Sequence, residues 1–157
     1  MSMYTNTYKG RYRVINPSKY RGDINSVVYR SLWELKFMKW CDINPGIIEW
    51  GSEVVVIPYV SPIDKKIHRY FVDFYIKVKN KRNEIQKYLI EIKPDRFTKP
   101  PDLPKKKTKR YINEVYQYAV NEAKWKAAFD FCADRKLKFM ILTEKDLGIE
   151  SYNGNKT

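Results

Sequence analysis

Between residues 26 and 42, SVVYRSLWELKFMKWCD, apolar positions recur at helical spacing, with Val28, Leu32, Leu35 and Met38 on one stripe. The pattern predicts a helix that Asn25 or Ser26 can cap and that Asn44-Pro45-Gly46 ends. The pattern then changes. Residues 47–60, IIEWGSEVVVIPYV, and 67–78, IHRYFVDFYIKV, are rich in β-branched and aromatic residues and predict two strands. The first is expected to bend at Gly51, and Pro58 puts it near a sheet edge or its own end. Ser61-Pro62-Ile63-Asp64 turns the chain between them. A polar turn from Asn80 to Glu84 leads into a third strand, residues 85–93, IQKYLIEIK.

The next stretch, residues 94–107, PDRFTKPPDLPKKK, has too many prolines for regular structure. Loops this long inside a domain are often functional. A long helix is predicted from Lys109 to Arg135, with Ile112, Tyr116, Ala119, Ala123 and Ala127 on one side. A short apolar strand, residues 137–143, LKFMILT, follows. The order is α-β-β-β-α-β, so the expected fold class is α/β (α+β), a mixed sheet flanked by helices. Three sequential strands invite a meander. The last strand arrives through a helix and is expected to join parallel by a right-handed crossover.

A chain of 157 residues fits one domain. The expected division is a basic extended arm over 1–25, a single domain over 26–150 and a polar tail over 151–157. The arm interleaves Arg11, Arg13, Lys19 and Arg21 with tyrosines. That suits a strand tracking phosphates, and equally a tail that packs its tyrosines on the core.

Charge sharpens this picture. Thirty-one Lys+Arg stand against 18 Asp+Glu, a net +13, which points to a polyanionic partner, most commonly nucleic acid. Ribosomal and virion structural proteins share such a balance, so charge alone does not argue for an enzyme. Cys41 and Cys132 lack CxxC pairing and His68 is the one histidine, which excludes a zinc site and suits reduced thiols in a reducing compartment. No apolar h-region opens the chain and no apolar run reaches the ~20 residues of a membrane span, so neither a signal peptide nor a membrane partner is expected. No small-molecule cofactor is expected either.

The chemistry concentrates on the hairpin of the second and third strands. With its turn centred on Arg82, antiparallel partners have numbers summing to 164, which sets Asp73 opposite Glu91. Opposed Cβ atoms lie ~4.5–5.5 Å apart. Two carboxylates that close repel unless a cation joins them, and Mg²⁺ (or Mn²⁺) takes such hard oxygen ligands. Lys93 shares the Glu91 face while Ile92 points away. A metal polarises a phosphate and can lower the pKa of a bound water, and a neighbouring lysine can stabilise developing charge. An E-x-K triplet alone is weak, since exposed strands often carry solvated Glu–Lys pairs. Three features strengthen it: Asp73 interrupts an apolar run, YFVDFYI; it aligns with Glu91; and the lysine-loaded loop starts right after Lys93. Arg96, Lys99, Lys105, Lys106 and Lys107 are candidate contacts to a DNA backbone. Gln117, Asn121 and Lys124 form a polar stripe on the long helix, either facing the site or solvated. His68 fits a structural or phosphate-contacting role better than a general base. Trp33, Trp40, Trp50 and Trp125 read as core or rim packing.

Asp73, followed by Glu91-Ile92-Lys93, in an α-β-β-β-α-β order, resembles the PD-(D/E)xK nucleases. Ser31-Leu32-Trp33-Glu34 is similar to the S-x-x-E motif of members resembling the transposon end-cleaving subunit. The resemblance implies a restriction-endonuclease-like core and that Glu34 also reaches the metal; without it, Glu34 reads as an ordinary solvent-facing residue paired with nearby Arg30 or Lys36. Related nucleases also offer a polar residue from the long helix, which would be Gln117 or Lys124. Where the group motif opens with proline, this chain has Val72-Asp73. Over most of the chain, through YKGRY, YRSLWE, WGSEVVVIPY, HRYFVDF, EIKP, NEAKW and ILTEKDLG, the sequence resembles the head completion nucleases of T-even-type tailed phages. That resemblance implies an endonuclease on double-stranded DNA that processes the packaged genome end, in the virion head and host cytoplasm, with phage head or neck proteins as partners. The alternatives are a non-catalytic DNA-binding virion protein on the same fold and a junction- or transposon-type nuclease.

Overall fold

The computed structural model describes residues 9–148. Four strands form the central sheet: β3 (Ile47–Ser52), β6 (Phe74–Lys79), β7 (Ile85–Ile92) and β8 (Leu137–Leu142). They lie in the order β3-β6-β7-β8, antiparallel except that β8 runs parallel to β7. The hairpin register is the expected one: Phe74 pairs with Ile90 and Lys79 with Ile85, each summing to 164. The turn fixes it. Asn80 Oδ1 accepts from the Arg82 and Glu84 amides, and Asn83 takes a left-handed φ of 63°. α2 (Lys109–Ala133), capped by Thr108, carries the chain from β7 to β8 as expected of a parallel connection.

Side-chain alternation gives the sheet two apolar faces. Phe74, Ile76, Ile90 and Ile92 pack with Trp33, Phe37, Met38 and Cys41 of α1 (Leu32–Ile43). Tyr75 and Leu89 pack on the other side with Trp125 and Ala128 of α2.

Three expectations are corrected. The first helix starts at Leu32, not near residue 26, because Val28–Tyr29 (β2) pairs with Gly10–Arg11 (β1) and Ser31 Oγ accepts the Glu34 amide as the true N-cap. The 47–60 strand is two strands: β3 ends at Ser52, and β4 (Val56–Val60) pairs instead with β5 (Ile67–Phe71) in a separate hairpin. The 67–78 strand likewise breaks at Val72-Asp73, where the Val72 amide donates to the Val55 carbonyl and the Glu53 amide to the Asp73 carbonyl. The sheet is therefore not a simple meander, for the β4–β5 hairpin is interposed on the α2 side, with Ile57, Tyr59 and Tyr70 in that core.

The basic arm packs onto the domain. Tyr12 is buried and its hydroxyl donates to Asp42, itself buried at the end of α1. The Ile15 and Asn16 amides complete the carboxylate's bonding at 2.7 and 3.1 Å. Of the two readings of residues 1–25, the described part follows the one in which tyrosines pack on the core; residues 1–8 and the 151–157 tail lie outside the described residues. No helix among the described residues is long and apolar enough to cross a membrane.

Candidate active site

Asp73 sits one residue before β6, at the break between β5 and β6. The residue is half-buried, but its carboxylate is deeply enclosed by protein atoms. Oδ2 accepts the Ile92 amide of β7 at 2.8 Å, which ties Asp73 to the strand that carries the E-x-K triplet. The enclosed position pushes its pKa well above the usual carboxylate value; the negative charges of Glu91 and then Glu34 push the same way, while the Ile92 bond and Lys93 oppose them. The three carboxylates are thus electrostatic neighbours.

Glu91 is buried, 6% exposed. Its Oε1 accepts the Tyr70 hydroxyl at 2.6 Å, and Lys93 Nζ stands 3.5 Å from its Oε2. Glu34 is also buried, in the first turn of α1. The S-x-x-E tetrad is a helix cap as well as a motif: Ser31 Oγ takes the Glu34 amide, and Glu34 Oε1 reaches back to the Arg30 amide at 3.0 Å. Glu34 is therefore not the solvated partner of Lys36, and Arg30 turns its guanidinium to Glu53. Burial raises the Glu34 pKa, the Arg30 contacts hold it down, and Glu53 and Glu91 add to the rise.

From the α2 side Lys124 reaches the same region. Its ammonium lies 5.6 Å from the Tyr70 ring centroid and 5.9 Å from that of Tyr59. Desolvation lowers its pKa; Glu91 and Asp73 raise it, and Lys93 lowers it. A cleft of about 560 Å³ opens beside Lys93, lined by Arg96, Phe97, Lys99, Gln117, Tyr118 and Asn121 among others. Gln117 donates to the buried Asn121 at 3.1 Å.

The structure thus brings together Glu34, Asp73, Glu91, Lys93 and Lys124, with Gln117, Arg96 and Lys99 on the adjoining cleft. Lys105, Lys106 and Lys107 are exposed on the approach to α2. Arg11 and Arg13 are exposed on the arm, and Arg21 lies over the Tyr75 ring at 4.9 Å. Lys19 is a correction. Its Nζ donates to the carbonyls of Cys41, Asp42 and Asn44 at 2.8, 2.9 and 2.9 Å, so it caps the C-terminal end of α1 rather than standing ready for phosphate. His68 pairs with Asp64 at 2.8 Å on the exposed hairpin. Tyr70 escaped the sequence reading because strand parity sets residues 70 and 73 on opposite faces; the break at Val72-Asp73 undoes that parity.

Among the described residues, no three His, Cys, Asp or Glu side chains converge as a ready-made metal cage. What the geometry offers is a group of hard, enclosed oxygens at the strand ends, flanked by two lysines and opening on a polar cleft that carries Arg96 and Lys99 beside Asp102 and Glu114.

Residues 44–144 match the family described as TnsA-like endonuclease, N-terminal. The chain belongs to the TnsA-like endonuclease family. Its mixed sheet with flanking helices is the restriction-endonuclease-like fold of that family. The chain is also similar to the head completion nuclease of Enterobacteria phage T4, 44% identical over 151 residues, covering 94% of this chain and 98% of that protein. No solved structure matches the chain.

Proposed function

We propose that this TnsA-like chain is a metal-dependent endonuclease of double-stranded DNA that processes the packaged genome end during phage head completion and head–tail joining. Its place is the virion head and the host cytoplasm, with head or neck proteins as partners. The observation that carries the reading is the enclosed Asp73 carboxylate, tied to the Glu91 strand by the Ile92 amide and repelled by Glu91 and Glu34 more strongly than Lys93 attracts it.

The donor set fits Mg²⁺ or Mn²⁺. It holds only carboxylate oxygens, and Mg²⁺ is often bound by one or two carboxylates, with waters and substrate phosphates completing the shell, so no full cage is required. Asp73 and Glu91 would hold the ion, with Glu34 beside them as the further candidate ligand. When bound, it would polarise the scissile phosphate and lower the pKa of the attacking water.

The chain's own groups do the rest. The Ile92 amide fixes one Asp73 oxygen and the Arg30 amide one Glu34 oxygen, which leaves the second oxygen of each for ligation. Lys93, held beside Glu91, stabilises negative charge as it develops on the phosphate. Lys124 adds a second cation from the opposite layer. Arg96, Lys99, Gln117 and the 105–107 lysines hold the DNA backbone along the cleft, with Arg11, Arg13 and Arg21 as further phosphate contacts.

The test is incubation of the full chain with plasmid and linear duplex DNA in Mg²⁺, Mn²⁺ or EDTA. Cleavage in either metal and none in EDTA supports the reading. Salt-sensitive binding with no cleavage in any condition contradicts it and favours a DNA-binding virion protein. A panel of linear, nicked and branched DNA separates end processing from junction resolution.

A further inference from the structure

We propose that Tyr70 is a positioning residue that sets the orientation of Glu91 for a divalent cation; this rests on the reading of Glu91 as a metal ligand. The Tyr70 hydroxyl donates to Glu91 Oε1 at 2.6 Å in a buried pair. That length is typical of an O–H donor bound to an ionised carboxylate. Lys93 holds the other oxygen at 3.5 Å. Two donors on opposite oxygens fix the plane of a side chain that would otherwise rotate about several bonds, so the carboxylate is arranged before any ion arrives.

Tyr70 is itself held. It is 3% exposed on β5, its ring packs in the α2-side core, and Lys124 lies over that ring. The β4–β5 hairpin, which stands outside the central sheet, thereby supports a carboxylate of β7. Hydrogen-bond partners of this kind set ligand geometry, and their loss typically weakens metal affinity ~10–100-fold.

The fold supplies a matched control. The Tyr75 hydroxyl donates to Glu49 Oε1 at 2.8 Å, the same chemistry on a carboxylate with no part in the proposed site. The experiment is calorimetric titration of Mn²⁺ into the metal-free full chain, for the wild type, Tyr70→Phe, Tyr75→Phe and Asp73→Asn, with thermal unfolding in EDTA for each. Tyr70→Phe is expected to weaken Mn²⁺ binding ~10–100-fold and Tyr75→Phe less than ~2-fold, although both remove one tyrosine–carboxylate bond. Cleavage by Tyr70→Phe is expected to recover as Mn²⁺ is raised. Wild-type affinity in Tyr70→Phe, or equal weakening in Tyr75→Phe, overturns the role of Tyr70. A wild type that binds no Mn²⁺, or Asp73→Asn binding as well as the wild type, overturns the metal site itself.

Discussion

In the absence of metal, replacing Asp73 by Asn is expected to make the protein more stable. The Asp73 carboxylate is enclosed and faces Glu91 and Glu34, so folding disfavours its charge. An acid whose pKa is raised by folding binds more protons in the native state than in the unfolded one. Stability therefore falls as pH rises from the ordinary aspartate pKa, about 3.9, towards the raised native value. Each unit of rise opposes the charged form by about 1.4 kcal/mol. Asn keeps the shape and an oxygen for the Ile92 amide, but it gives up the attraction of Lys93 and a charge-assisted bond. The balance leaves a gain of about 1–2 kcal/mol, in the range that relief of active-site strain commonly gives. For a chain of this size that is a rise in Tm of roughly 2–8 °C. Thermal unfolding by circular dichroism in EDTA at pH 5 and pH 8 measures it. The gap between Asp73→Asn and the wild type should be larger at pH 8, and adding Mg²⁺ should raise the Tm of the wild type alone. An Asp73→Asn protein that melts several degrees below the wild type at pH 8 in EDTA would mean instead that the carboxylate is a net structural support.

Other sites give independent checks. Asp42→Ala strands the Tyr12 hydroxyl and the Ile15 and Asn16 amides, so chemical denaturation should show a loss of about 2–4 kcal/mol; no loss would mean that the arm is not part of the folded domain. Gly51→Ala would put a Cβ 2.7 Å from the Arg21 carbonyl oxygen and 2.8 Å from Val54 Cγ2, and a fall of about 1–3 kcal/mol is expected by the same assay. Joint replacement of Lys105, Lys106 and Lys107 by Ala should reduce the salt dependence of DNA binding by roughly 2–3 in log–log slope, with cleavage at saturating DNA little changed; an unaltered slope removes these lysines from the interface.

The β6–β7 register was legible because one turn and a period of two leave little freedom, and Asp73, Glu91 and Lys93 followed from it. The long helix and the parallel last strand were legible for the same reason, a strong period bounded by breakers. The breaks at Ser52 and at Val72-Asp73 were not. Apolar, β-branched residues flank both, so Gly51 reads as a bend and Asp73 as one charge inside a continuous strand; the left-handed φ of 55° at Glu53 and the tertiary bonds between 53–55 and 72–73 are what interrupt the strands. Those same breaks bring Tyr70 to Glu91. The start of α1 was misplaced because Val28 fits a helical stripe as well as it fits the small β1–β2 pairing that holds it. Lys19 looked like a phosphate contact because composition records charge but not the three carbonyls that absorb it. Glu34 is the converse case: periodicity gave it ordinary surface partners, and the cap at Ser31 turned it inward.

Whether Asp73, Glu91 and Lys93 cut DNA is decided by a paired assay on one preparation. Cleavage of linear duplex DNA in Mg²⁺ and DNA binding in EDTA are measured for the wild type, Asp73→Ala and Lys93→Ala. Both variants should lose cleavage and keep binding. A variant of either kind that still cuts at the wild-type rate would contradict the catalytic role of these residues.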